Sequence, residues 1–171
     1  MGAHARFSPS AANRLIHCPP SLVLGEAFQE EESPYAAEGS AGHALAEHLI
    51  KKHLKQQTRR PASDYYSDDL LEAVDDYVSF VIGEIEEARR QCADPVFSVE
   101  QKVDISDYVP DCFGTADMVI VMDKLVHIID LKLGKGVPVY AEKNPQLMIY
   151  GLGVLETAEM LYPVETVQLT I

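Results

Sequence analysis

Residues 113–133 read FGTADMVIVMDKLVHIIDLKL, and the way this stretch pairs with itself decides the fold. Two β-rich runs, Phe113–Met122 and Leu125–Leu133, are separated by Asp123-Lys124 alone, which predicts a hairpin with a two-residue turn. Counting outward from that turn pairs Met122 with Leu125, Val121 with Val126, Val119 with Ile128 and Asp117 with Asp130. Strand side chains alternate, so both aspartates are expected on one face, with Lys132 on that face as well. Met118, Ile120, Met122, Ile129 and Leu131 then form one apolar side, and Val119, Val121, Val126 and Ile128 the other. A hairpin apolar on both faces predicts a sheet covered on both sides. His127 falls on the face opposite the aspartates and reads as structural.

Upstream, Val96–Val103 follows Asp94-Pro95 and reads as another strand. Before it, Ser67 caps a long helix whose apolar stripe is Leu70, Leu71, Val74, Tyr77, Val78, Val81, Ile82 and Ile85, with Asp68 and Asp69 suited to the positive end of its dipole. Ser40–Gln57 has helical spacing that sets His43 and Glu47 on one face, and Thr58–Tyr66 is a loop carrying Pro61. The proline-bearing residues 1–39 are expected as an N-terminal arm, with a short helix at Pro9–His17 capped by Ser8. Downstream, Asn144 caps a helix that starts with Pro145 and runs through Gln146–Met160 despite Gly151 and Gly153; Glu165–Ile171 reads as a last strand. The arm therefore precedes one core, residues 40–171, and the apolar end Thr170-Ile171 predicts that the protein continues beyond it.

At 171 residues and 47% hydrophobic, the chain can build one core. No run of about 18 apolar residues occurs and the start lacks a signal-peptide core, so no membrane partner is expected and a cytoplasmic location is. Cys18, Cys92 and Cys112 contain no C-x-x-C pair, which predicts free thiols. Lys and Arg number 14 against 27 Asp and Glu, a net charge of -13 that opposes phosphate binding over a broad surface. The cations gather in Lys51, Lys52, Lys55, Arg59 and Arg60; the acids gather at Glu30–Glu32, around Asp68–Asp76 and at Glu84–Glu87.

Two aspartates facing each other within an apolar hairpin repel and pay a desolvation penalty unless something neutralises them. A divalent cation would do so, and carboxylates without a thiolate and histidine set suit Mg²⁺ or Mn²⁺ better than zinc. Lys132 would then orient an attacking water or stabilise developing negative charge. The alternative is that both acids meet water at strand ends with Lys132 as their ion-pair partner. His43 reads either as a ligand or as a polar helix residue. Gln146 and Tyr150, four apart on one helix face, could contact a substrate, support the ligands, or form an ordinary surface. Lys135-Gly136 is either a phosphate contact or a flexible loop.

In Gly114-Thr115-Ala116-Asp117 followed by Asp130-Leu131-Lys132, with Gly42-His43-Ala44-Leu45-Ala46-Glu47 before and Gln146-Leu147-Met148-Ile149-Tyr150 after, the chain resembles the RecB-like branch of the PD-(D/E)XK nucleases. Ser8-Pro9-Ser10, Cys18-Pro19-Pro20-Ser21 and Tyr35-Ala36-Ala37-Glu38-Gly39 are similar to a RecB-like family encoded by phages and prophages. The resemblance implies a restriction-endonuclease-like α-β-β-β-α-β core of the α/β class, with a central mixed sheet flanked by helices. It implies metal ligation by His43, Asp117, Asp130 and the Leu131 carbonyl, and catalytic roles for Asp117, Asp130, Lys132 and Glu100. Substrate contacts would come from Gln146 and Tyr150. The implied activity is Mg²⁺- or Mn²⁺-dependent hydrolysis of DNA, as an exonuclease of phage recombination or replication working with proteins of those processes. Some relatives hold an iron–sulfur cluster on one early and three late cysteines; Cys18 lacks the late trio, so no cluster is expected. The excess of acid also fits a second expectation, a non-catalytic protein-binding module on a nuclease-like core.

Overall fold

The computed structural model describes residues 5, 7–26, 33–134 and 138–171. Lys135 and Gly136, and the acidic Glu30–Glu32, lie outside the described residues. A 3₁₀ turn at Pro9–Ala11 leads into α1 (Ala12–His17) and α2 (Ser21–Glu26), followed by α3 (Pro34–His53) and α4 (Asp68–Gln91). Strands β1 (Val96–Asp104), β2 (Phe113–Met122) and β3 (Leu125–Ile129) come next, then α5 (Pro145–Ala158) and β4 (Thr166–Thr170).

Helix boundaries follow the capping chemistry. Ser67 Oγ accepts from Leu70 N–H at 3.2 Å to start α4, and Asn144 Oδ1 accepts from Leu147 N–H at 3.2 Å to start α5. Each such cap stabilises a helix by about 1 kcal/mol. Helix α3 begins at Pro34 rather than at Ser40, because Ser33 Oγ caps it by accepting from Ala36 N–H and Pro34 fits the first turn, where its missing N–H costs nothing. Residues 34–39, expected in the arm, therefore belong to this helix. It also ends earlier than expected, at His53, and α5 ends at Ala158 rather than Met160.

The sheet has the order β1-β2-β3-β4, with β1–β2 and β2–β3 antiparallel and β3–β4 parallel. The fold is therefore α/β, with a mixed four-stranded sheet and flanking helices. Helix α5 makes the crossover that parallel neighbours require. Hairpin register follows the count from the turn as far as Met118 with Ile129, through Met122 with Leu125 and Val119 with Ile128, but the ladder stops before the expected pair of Asp117 and Asp130. Both faces are covered as the apolar pattern demands. Met118, Ile120, Ile129 and Leu131 pack with Leu45 and Ile50 of α3 and with Val74, Val81 and Ile85 of α4. Val119, Val121, Val126 and Ile128 pack with Leu147, Tyr150 and Val154 of α5. Burying one Val, Leu or Ile side chain stabilises by about 1.5–3 kcal/mol, so the two clusters hold the helical layers to the sheet.

The glycine at 153 in α5 reflects packing. A Cβ there would lie 2.5 Å from Val103 Cγ1 and 2.7 Å from Ile105 Cγ2, so its absence lets the helix approach β1. His127 is fully buried, with Nδ1 3.3 Å from Glu84 and Nε2 2.8 Å from Thr170 Oγ1. It ties α4 and β4 to β3. Burial pushes its pKa down against the opposing pull of Glu84. Cys18, Cys92 and Cys112 are free thiols. Among the described residues no helix is long and apolar enough to cross a membrane.

Candidate metal centre

The site lies where β1, β2 and β3 meet the N-terminal half of α3. Glu100 of β1 stands opposite Asp117 of β2, yet the ladder skips this pair, joining Val99 to Met118 and Gln101 to Ala116 on either side. Glu100 has φ 55°, a left-handed conformation that costs an L-residue about 1–2 kcal/mol. Strict alternation would put Val99 and Val103 on one face, and Ala116 and Met118 on one face. Instead Val99 and Met118 pack toward α3 and α4, while Val103 and Ala116 pack toward α5. Alternation thus breaks in both strands at Glu100 and Asp117.

That break corrects the expected projection of both aspartates from one face. Asp117 takes its side-chain partner from α3, with Oδ1 3.1 Å from His43 Nδ1. Asp130 keeps the phase of Val126 and Ile128 and takes its partner from α5, Gln146 Nε2 donating to Oδ1 at 3.2 Å. Gln146 Nε2 also lies 3.4 Å from the Tyr150 hydroxyl. The third strand stops at Ile129 instead of reaching Leu133, because Leu131 N–H donates to Asp117 Oδ2 at 2.6 Å and leaves the ladder. Asp130 N–H still donates to Thr170 O at 3.0 Å, which fixes the segment to β4.

Ligand-type atoms of His43, Glu100 and Asp117 all lie within 4.8 Å of one another. Asp130 adjoins this trio but stands outside it, 97% of its side chain being buried, with Lys132 Nζ 2.5 Å from Oδ2. That ion pair opposes the rise that burial imposes on the Asp130 carboxyl. Leu131 lines the small space between His43, Glu47, Glu100 and Asp117.

The electrostatics fit a centre short of positive charge. Burial, then Asp117 and Glu47, push the Glu100 carboxyl up to about 7 against the weaker pull of His43 and Lys51. Burial also raises Asp130, with Asp117 adding to the rise and Lys132 opposing it. His43 loses charge preference to burial, but its bond to Asp117 and the field of Glu100 and Asp130 outweigh that and raise its pKa. Tyr150 is pushed up to about 12, mainly by burial. Two carboxylates and an imidazole converge there, an oxygen-rich set that a hard divalent cation such as Mg²⁺ or Mn²⁺ fits.

The neighbourhood includes groups that the sequence alone did not mark. Glu47, one turn after His43, was legible as sharing its face, but nothing signalled its approach to Glu100 of β1. Tyr77 belongs to the apolar stripe of α4, yet its hydroxyl is buried without a hydrogen-bond partner near the acids, and burial with their charge raises its pKa. Gly114 has a packing role: a Cβ there would lie 2.9 Å from Pro9 Cδ and 3.2 Å from Tyr150 Cε1. The N-terminal segment and α5 thus close over the start of β2.

Fold and site together define an α/β domain with a mixed sheet and a histidine–carboxylate cluster where the middles of β1 and β2 meet α3. The chain belongs to the family described as "Protein of unknown function (DUF2800)", whose model matches residues 4–171. No solved structure matches it.

Proposed function

We propose that this chain is a divalent-metal-dependent nuclease of the RecB-like, PD-(D/E)XK type that hydrolyses DNA phosphodiester bonds. The observation that carries the reading is the convergence of His43, Glu100 and Asp117 within 4.8 Å, beside the Asp130–Lys132 pair. The order of helix, three antiparallel strands, helix and parallel strand supports the nuclease-like core. His43, Glu100 and Asp117 would hold the metal, with Asp130 and the Leu131 carbonyl adjacent. When bound, Mg²⁺ or Mn²⁺ supplies Lewis-acid polarisation of a phosphoryl oxygen and lowers the pKa of water.

The protein's own groups have separate tasks. Lys132, held by Asp130, offers an ammonium that orients the attacking water and stabilises charge growing on the phosphate oxygens. Without metal the Glu100 carboxyl, pushed up to about 7, is partly protonated at neutral pH, and ligation would require it to give up that proton. Gln146 fixes Asp130 from behind, and Tyr150 backs Gln146. Action as an exonuclease on DNA ends, in phage recombination or replication, completes the proposal. Its test is divalent-metal-dependent degradation of linear DNA by the wild type, Asp130→Ala and Lys132→Ala, with loss expected in both variants. Undiminished hydrolysis in both would remove the mechanism.

The net charge of -13 favours a second reading, a non-catalytic module that engages a protein partner through its acidic surface. Metal binding that depends on Asp117 separates the two, since a purely structural acid pair needs none.

A further inference from the structure

The histidine–carboxylate cluster has two sides. On one, His43, Glu47, Glu100 and Asp117 line an open groove of ≈ 790 Å³ together with Ser10 and Ser40. On the other, the same four residues line a pocket of only ≈ 10 Å³ with Leu131 and Tyr77. The ligand set therefore stands between an open space and a closed one. Tyr77 reaches the closed side from α4, its ring packed against the side chains that join α3 and α4 to the sheet. Its hydroxyl is buried and has no hydrogen-bond partner among the described residues. Burial first, and then Asp117, Asp130 and Glu100, push its pKa up, so it stays a neutral hydroxyl able both to donate and to accept.

A buried polar group left unpaired bears the full cost of its desolvation. The remaining walls, Ala46, Ile50 and Val99, offer no polar side chain to offset it. A space of about 10–15 Å³ admits one water where two to four polar groups surround it, and this pocket has both the size and the groups. We propose that Tyr77 is a positioning residue of the metal centre, whose hydroxyl hydrogen-bonds a single internal water that completes the ion's coordination on the closed side. This rests on the divalent-metal reading and adds what selects the ion. Mg²⁺ and Mn²⁺ favour octahedral coordination and keep several waters, whereas Zn²⁺ is satisfied by three protein ligands and one water. Zn²⁺ can take that one water from the open groove. Only the octahedral ion needs the closed side, so Tyr77 favours Mg²⁺ or Mn²⁺ over Zn²⁺.

The test is calorimetric titration of Mn²⁺ and of Zn²⁺ into the full chain, wild type and Tyr77→Phe, a change that removes the hydroxyl and keeps the ring. The variant is expected to bind Mn²⁺ about 10- to 100-fold more weakly and Zn²⁺ as tightly as wild type, which also reports an intact fold. Broadening of the electron paramagnetic resonance lines of bound Mn²⁺ by water enriched in the magnetic oxygen isotope counts the waters on the ion, and the variant should hold one fewer. Equal loss for both ions, no loss for either, or the same water count in the two proteins would overturn the role of Tyr77. Wild-type Mn²⁺ binding that is absent or indifferent to Asp117→Asn would strike the metal centre itself and the water with it. Binding that depends on Asp117 and ignores Tyr77 strikes this inference alone.

Discussion

Replacing Glu100 with Gln should stabilise the metal-free protein, in a pH-dependent way that reports directly on the crowding of charge. In the folded chain the Glu100 carboxyl is raised from 4.5 to about 7, by burial first and then by Asp117 and Glu47. A raised acid binds its proton more tightly when folded, so the folded state is unpenalised below the unfolded pKa and loses stability as pH rises from 4.5 to about 7. At ~1.36 kcal/mol per pKa unit the unscreened loss is ~3 kcal/mol. Glu100 is only half-buried, and solvent screening reduces this to ~1–2 kcal/mol. Glu100→Gln keeps the shape and removes the charge. Urea unfolding in EDTA should therefore show the variant ~1–2 kcal/mol more stable than wild type at pH 8 and equal to it near pH 4, with a melting temperature about 2–8 °C higher at pH 8. Saturating Mn²⁺ should reverse the order, since ligand at 100 times its dissociation constant stabilises by ~2.7 kcal/mol and the wild type binds more tightly. A variant no more stable than wild type at pH 8 would show that Glu100 is well solvated and that its neighbours do not oppose its charge.

Three further outcomes follow from single contacts. Gln146→Ala frees Asp130, the carboxylate that holds Lys132, so turnover should fall by about 10- to 100-fold while Mn²⁺ affinity, read by calorimetry, changes less. Gly153→Ala drives a Cβ to 2.5 Å from Val103 Cγ1, so thermal unfolding should show a loss of ~1–3 kcal/mol, with metal affinity retained. His127→Ala opens a cavity and leaves Glu84 and Thr170 without their buried partner; it should lower stability by ~2–4 kcal/mol with Mn²⁺ affinity retained.

The hairpin register was legible because a two-residue turn leaves one way to count, and the two-sided apolar pattern named the residues of both clusters. Capping residues Ser67 and Asn144 were legible for the same local reason. What alternation could not supply was its own interruption. Glu100 carries no glycine or proline signal, yet its left-handed backbone changes the phase of β1 and sends Asp117 toward His43 while Asp130 faces Gln146. Helix α3 starts earlier than its apolar period suggested because Ser33-Pro34 is also a capping signal, one the proline content of the arm obscured. The roles of Glu47 and Tyr77 depend on how the layers stack, which no local pattern encodes.

Calorimetric titration of Mn²⁺ into wild type and Asp117→Asn tests whether His43, Glu100 and Asp117 form a divalent-metal site. The asparagine keeps an oxygen able to accept from Leu131 N–H, so the fold should persist while a negative ligand is removed. One micromolar-range site is expected in the wild type, weakened at least about tenfold by the substitution, equivalent to ~1.4 kcal/mol. Equal Mn²⁺ affinity in the two proteins, or none in either, would contradict it.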